Sequence, residues 1–306
     1  MPSRKLAALA RRNVLIGLPL LALANCGRPP PARAEVRHNG LVGTLFLPHD
    51  SAARPAVVCL TGGEGGLWEA PAQSLATSGF AALALATHNY DGVPAHLRRL
   101  PIDYVEQAVD WLRARVAPQN GRVVLRGWSR GGEMALLTAS MVPSVSGVIA
   151  YAPRTYVGRE GNRPNNFNDP TTDAAWTFRG RALDGQPLPR AMMQDPAHPS
   201  LEDLHGIAVE AINGPIMLVS GQRDTGLDGT TATFSCDHAE RRLSLFKFPF
   251  AHTHLNYAGA GHSIAGPPGF TGPVIGGGTL AADAAAIIDS WPRSLAFLEM
   301  IGRAQA

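Results

Sequence analysis

The sequence predicts an α/β fold, a mostly parallel twisted sheet flanked by helices. Three observations carry this. Short apolar runs alternate with stretches of helical spacing, the pattern of βαβ units. One run, Val123-Val124-Leu125, leads straight into Gly127-Trp128-Ser129-Arg130-Gly131, and a helix-forming stretch from Glu133 to Leu137 follows. Later in the chain, Asp224 and His262 each stand in a glycine-containing loop after a predicted strand.

Taken in order, Val36 to Pro48 alternates like a hairpin around Asn39-Gly40, a pair that favours a tight turn. Pro55 to Leu60 reads as a buried strand, followed by the loop Thr61-Gly62-Gly63-Glu64-Gly65-Gly66. Glu69 to Ser78 suits a helix and Phe80 to Ala86 a second buried strand. Ile102 to Val116 has helical spacing, with apolar residues at Tyr104-Val105, Ala108, Trp111-Leu112 and Val116. After the run before Ser129 and its helix, Ser146 to Ala152, Gly214 to Ser220 and Leu243 to Phe250 are expected as strands. Leu280 to Gly302 is expected as a helix, broken at Pro292. Between Pro153 and Asn213 the pattern fails. So long an irregular stretch inside an α/β domain is read as a cap over the serine. Trp176, Phe178, Met192 and Met193 within it are candidate substrate contacts.

The chain has 306 residues, 45% of them hydrophobic and 17% charged, which suits one large globular domain over 35–306. Its net charge of +3 is concentrated at the start: residues 1–34 hold Arg4, Lys5, Arg11, Arg12, Arg28 and Arg33 and no acid. The remainder has 21 Lys and Arg against 24 Asp and Glu, so no basic nucleic-acid surface is indicated. Residues 1–34 read as an export signal. A basic region containing Arg11-Arg12, as in twin-arginine signals, precedes an apolar run from Val14 to Ala24 that is too short to span a membrane. Ala32-Arg33-Ala34 offers a cleavage site, giving a mature start near Glu35 and a periplasmic location. Leu23-Ala24-Asn25-Cys26 is the rival, a lipoprotein box with Cys26 lipidated. Beyond the leader only Cys59 and Cys236 remain. Cys59 lies in an apolar run and reads as a packing residue. No Cys or His spacing suggests a metal, and no cofactor is expected.

A serine hydroxyl is a weak nucleophile until a base takes its proton and a third group orients that base. On a strand–Gly-x-Ser-x-Gly–helix corner, the glycines make room for the sharp turn and Ser129 becomes the candidate nucleophile. In α/β-hydrolases the acid and the histidine follow in that order. Asp224, after Met217-Leu218-Val219-Ser220-Gly221, is the candidate acid, with Asp228 the alternative. His262, in Gly259-Ala260-Gly261-His262-Ser263, is the candidate base, because flanking glycines permit close backbone approach. His252 and His254 lack such flanks, and His38, His49, His88, His96, His198, His205 and His238 read as surface or packing residues. The backbone N–H groups of Arg130 and Gly63 are the candidate oxyanion hole.

Several short segments resemble one family. Arg126-Gly127-Trp128-Ser129-Arg130-Gly131-Gly132-Glu133-Met134-Ala135-Leu136 is similar to the elbow of the acyl-CoA thioesterase and bile acid-CoA:amino acid N-acyltransferase family, in its C-terminal domain. Gly65-Gly66-Leu67-Trp68-Glu69, Ala86-Thr87-His88-Asn89-Tyr90, Leu100-Pro101-Ile102-Asp103-Tyr104-Val105, Ile212-Asn213-Gly214-Pro215-Ile216 and Gly261-His262-Ser263-Ile264 are similar to it in the same order. The resemblance implies an α/β-hydrolase fold of the dienelactone-hydrolase-like kind. It also implies a triad of Ser129, Asp224 and His262, and acyl-thioester chemistry. Two departures stand beside it. Members with the full architecture carry an N-terminal β-sandwich, for which the stretch before Val36 has no room, and export separates an enzyme from coenzyme A esters. The expectation is therefore an exported serine hydrolase acting on a small-molecule ester or thioester. The alternative is an acyl-CoA thioesterase or N-acyltransferase of the cytoplasm. A non-catalytic binding protein on the same scaffold is the third reading. No nucleic-acid partner or membrane span is expected, and the oligomeric state is left open.

Overall fold

The hairpin forms where Asn39-Gly40 signals it. Both residues take positive φ, 48° and 84°, which turns β1 (Ala32–His38) back on β2 (Leu41–Leu47), with His38 opposite Leu41. The computed structural model describes residues 30–50, 54–160, 172–183, 206–226, 232–270 and 272–304. After the hairpin come β3 (Ala56–Leu60), α1 (Glu69–Thr77), β4 (Ala82–Leu85), the short β5 (Leu100–Pro101), α2 (Ile102–Val116), β6 (Val123–Trp128) and α3 (Arg130–Met141). Next are β7 (Val148–Tyr151), β8 (Trp176–Phe178), β9 (Arg181–Ala182), β10 (Ile216–Gly221), α4 (Ala232–Leu245), β11 (His252–Tyr257) and α5 (Leu280–Arg303).

Eight strands make the main sheet in the order β1-β2-β4-β3-β6-β7-β10-β11. The pairs β1–β2 and β2–β4 are antiparallel, and every later neighbour is parallel. Strands β3, β4, β6, β7 and β10 are apolar and buried almost throughout, as parallel strands covered on both faces must be. One face packs on α2, α3 and α4 through residues such as Val105, Leu112, Leu136 and Leu243. The other packs on α1 and α5 through Leu75, Phe80, Trp291 and Leu298. Cys59 belongs to the second core and Cys236 to the first, so the sheet separates them; both are buried free thiols. Burial pushes the Cys59 thiol up to about 11, which leaves it protonated and unreactive.

Three expectations change. Leu243 to Phe250 is no strand: its first residues complete α4, whose buried positions Cys236, Ala239 and Leu243 keep helical spacing, and Pro249 lies beyond the helix end. The strand is β11, at the sheet edge, where half-buried polar side chains give no apolar run to read. Pro292 does not break α5, which runs through it. The ring is exposed, so the carbonyl left without an N–H partner sits on the solvent side. The described parts of 153–213 are also partly regular. β5, β8 and β9 form a three-stranded sheet, and Arg159 bridges Ala174. Among the described residues no helix is long and apolar enough to cross a membrane.

Candidate active site

The loops at the C-terminal ends of β3, β6, β10 and β11 assemble the site, the edge of a parallel sheet where ligands bind. β6 ends at Trp128 and α3 starts at Arg130, leaving Ser129 alone at the corner with φ 55° and ψ −122°. Its N–H donates to the Tyr151 carbonyl at 2.9 Å, which locks the strained turn to β7. The flanking glycines are obligatory. A Cβ on Gly127 would lie 2.1 Å from the Gly131 carbonyl oxygen, and one on Gly131 would lie 2.1 Å from that of Thr61. Arg130 opens α3, so its N–H is among the first-turn donors that point outward, together with the positive end of the helix dipole.

Asp224 follows β10 and is buried. One carboxylate oxygen accepts from His262 Nδ1 at 2.8 Å, and the other accepts from the Gly226 N–H at 2.7 Å. That arrangement holds the imidazole with Nδ1–H toward the acid and Nε2 turned away from it. His262 is tied to the serine corner through Trp128, whose Nε1 donates to the His262 carbonyl at 2.9 Å and whose ring lies 5.4 Å from the imidazole. Asp224, His262 and the Ser129 corner are thus brought together. Asp228, Met192 and Met193 lie outside the described residues. Trp176 and Phe178 lie in β8. Trp176 is buried, its Nε1 donating to Glu133 at 2.6 Å, while Phe178 sits under the Arg179 guanidinium at 4.6 Å.

Other residues hold this arrangement in place. His88 is buried and bonds Gly63 O through Nε2 at 3.0 Å and Thr87 Oγ1 through Nδ1 at 3.1 Å. Burial holds its pKa below the ordinary imidazole value, so the neutral ring donates to the Gly63 carbonyl and accepts from Thr87. The carbonyl of Gly63, in the loop after β3, is thereby tied to the end of β4. Buried Arg126 reaches the Ala265 carbonyl and stacks on Tyr151 at 4.5 Å, joining β6 to the loop that carries His262. Asp283, in the first turn of α5, accepts from the Gly261 N–H at 2.7 Å. Burial, with the nearby Asp224 charge, raises its pKa above the ordinary carboxylate value.

Gly276, Gly277 and Gly278 all take positive φ, and a Cβ on Gly276 would lie 2.9 Å from His262 Cβ. Sequence reasoning gives this glycine run and Asp283 no role and reads His88 as a surface or packing residue. The signals were present: an acid inside an apolar helix start, three consecutive glycines, and a histidine in an otherwise buried stretch.

A second Ser–His–Asp chain lies beside the first. His254 Nε2 is 2.7 Å from Ser220 Oγ, and its Nδ1 is 3.2 Å from Asp237 Oδ1. Ser220, however, is wholly buried within β10, with Thr233 also on its hydroxyl. Ser220 lies inside the strand and is not among the residues of positive φ, so it has the hydrogen bonds of a triad without access to a substrate.

Comparison with known proteins gives the family and the fold. Residues 100–301 match the family model described as BAAT / acyl-CoA thioester hydrolase C terminal. Human acyl-coenzyme A thioesterase 1 is 30% identical over 301 residues, 88% of this chain and 65% of that protein. Mouse acyl-coenzyme A amino acid N-acyltransferase 1 is 28% identical over 286 residues, 86% of this chain and 64% of that protein. The chain therefore spans less than two thirds of the length of either relative. Among solved structures, a dienelactone hydrolase-like promiscuous phosphotriesterase from metagenomic libraries superposes with a TM-score of 0.58 at 15% identity. That match covers 89% of this chain and 99% of the other, a likeness of fold. With the family model covering most of its length, this chain belongs to the BAAT / acyl-CoA thioester hydrolase C-terminal family, on an α/β-hydrolase fold.

Proposed function

We propose that this chain hydrolyses acyl thioesters or esters through an acyl-enzyme on Ser129. The observation that carries the reading is the Asp224–His262 bond of 2.8 Å, set beside a serine held alone on a strained strand-to-helix corner. His262 Nε2 takes the Ser129 Oγ proton as the oxygen attacks the carbonyl carbon. Asp224 fixes the tautomer and stabilises the imidazolium that forms. The N–H groups of Arg130 and Gly63 receive the oxyanion. The same proton then goes to the leaving thiolate or alkoxide, and water activated by His262 cleaves the acyl-enzyme.

The relatives' names make acyl-coenzyme A thioesters the first substrates to test, with transfer to an amino acid amine as the variant of the second half-reaction. Ser129→Ala should lower kcat on an acyl-CoA ester by roughly a thousandfold or more in a folded protein. Turnover close to that of the wild type would overturn the mechanism. Mass analysis of products with and without glycine separates hydrolysis from transfer.

A second reading, export before action, is favoured by the basic, acid-free leader with Arg11-Arg12 and an apolar run. Cleavage after Ala34 would remove three residues of β1 and the 2.6 Å ion pair of Arg33 with Glu69. N-terminal sequencing of the natural protein decides between a start near Glu35, a lipid-modified Cys26 and an unprocessed chain. The last outcome leaves acyl-CoA thioesters as the accessible substrate.

A further inference from the structure

Beside the serine corner lies a cavity of about 470 Å³, within the range of small-molecule sites. It borders each part of the proposed machinery: Trp128 precedes Ser129, Ser263 follows His262, and Thr61 and Glu64 bracket the Gly62-Gly63 turn. Three aromatic rings form its wall. Trp68 lies 5.4 Å from Trp128 and 5.6 Å from Phe270, between centroids. Phe270 fits because its neighbours have no side chains: a Cβ on Gly266 would lie 2.4 Å, and one on Gly272 2.5 Å, from its ring. Among the lining residues there is no Lys, Arg or His. The single charge is Glu64, whose Oε1 accepts from Thr61 Oγ1 at 2.9 Å.

We infer that this cavity is the acyl subsite, that it takes uncharged apolar acyl groups, and that Glu64 rejects acyl groups ending in a carboxylate. The inference rests on the serine-hydrolase reading and adds the substrate class to it. The lining decides which half of a substrate enters. A leaving group bearing phosphates would meet a carboxylate and no cation, whereas a hydrocarbon chain meets three rings and exchanges water for apolar contact. A terminal carboxylate would be brought into an apolar cavity against a like charge, doubly unfavourable.

A series of chromogenic esters from acetyl to octanoyl tests the length dependence. kcat/KM should rise by about fourfold per methylene until the cavity is filled. The succinyl ester should be slower than the pentanoyl ester by about tenfold or more, from repulsion by Glu64. Glu64→Gln, which preserves an oxygen for the bond from Thr61, should close most of that gap, read as the ratio of succinyl to pentanoyl kcat/KM within the same variant. Flat length dependence, or a succinyl penalty that survives Glu64→Gln, would overturn the assignment.

Binding is read separately. Ethyl octanoate should quench tryptophan fluorescence saturably in the Ser129→Ala protein, through Trp68 and Trp128, and Phe270→Ala should weaken that binding. If Ser129→Ala keeps wild-type turnover, the serine reading falls while the titration still tests the cavity. If Ser129→Ala is inactive and no saturable quench occurs, the cavity assignment falls alone.

Discussion

Arg130 and Glu133, three residues apart on α3, form an ion pair of 2.6 Å whose side chains are only 3% and 0% exposed. The same carboxylate accepts from Trp176 Nε1 at 2.6 Å and from the Gly158 N–H at 2.7 Å. Arg130 in turn donates to the Arg159 carbonyl at 2.8 Å and stacks on Trp176 at 5.0 Å. The residue immediately after the candidate nucleophile is therefore bolted to two stretches of the insertion that follows β7. Trp176, predicted as a substrate contact, is placed by this cluster beneath the corner, away from the lining of the cavity.

Removing one partner of such a pair leaves a buried charge without compensation. Glu133→Ala should destabilise the fold by about 3–5 kcal/mol, read from urea unfolding. Glu133→Gln retains an oxygen for Trp176 or Gly158 and should cost less. Both should lower kcat more than they raise KM, because the Arg130 N–H moves. A kcat unchanged in Glu133→Gln would show that the cluster supports the fold alone.

The two Ser–His–Asp chains give opposite expectations. Asp224→Asn should lower kcat by roughly a thousandfold or more, since the amide leaves His262 in the wrong tautomer and its cation unsupported. Asp237→Asn and His254→Ala should leave kcat within about threefold, because the hydroxyl they serve, Ser220, is buried. A reversed order of effects would move the active site to Ser220.

His88 acts on the other side of the corner. Loss of an oxyanion donor typically costs a hundredfold or more. His88→Ala only frees the loop that carries the proposed donor, Gly63, so kcat should fall by roughly tenfold with KM little changed. His88→Gln, which can still donate to the Gly63 carbonyl, should recover part of the loss. A rise in KM with kcat unchanged would instead place His88 in ground-state binding.

Much of this site was legible in the chain. The serine corner is readable because close backbone approach forces glycine at 127 and 131, and Ser129 and Asp224 each follow a largely apolar strand, whereas His262 is marked only by its flanking glycine loop. What escaped the reading has physical causes. β11 is an edge strand, so its half-buried His252, Thr253 and His254 carry no apolar signature, and the preceding helix borrowed Leu243. β8 is short and its role depends on Glu133, far away in sequence. His88 and Asp283 act through backbone atoms of distant loops, contacts that only the fold creates.

Asp283 makes a pH prediction. Its folded pKa lies above the 3.8 of an ordinary aspartate, chiefly through burial. The folded state then holds its proton more tightly than the unfolded one, and stability falls as pH rises through that window. Asp283→Asn has no such charge. The difference in unfolding free energy between the two proteins, measured in urea from below pH 3.8 upward, should shift toward the variant as pH increases. A constant difference would contradict the burial of an ionised carboxylate beside Asp224.

The central claim is that Ser129 carries the acyl group, and covalent labelling tests it most directly. A fluorophosphonate should add to the folded protein at one residue, located by peptide mass spectrometry at Ser129. The label should vanish in Ser129→Ala and slow markedly in His262→Ala. Labelling at Ser220 or another residue, or none while the protein hydrolyses acyl esters, would contradict the account.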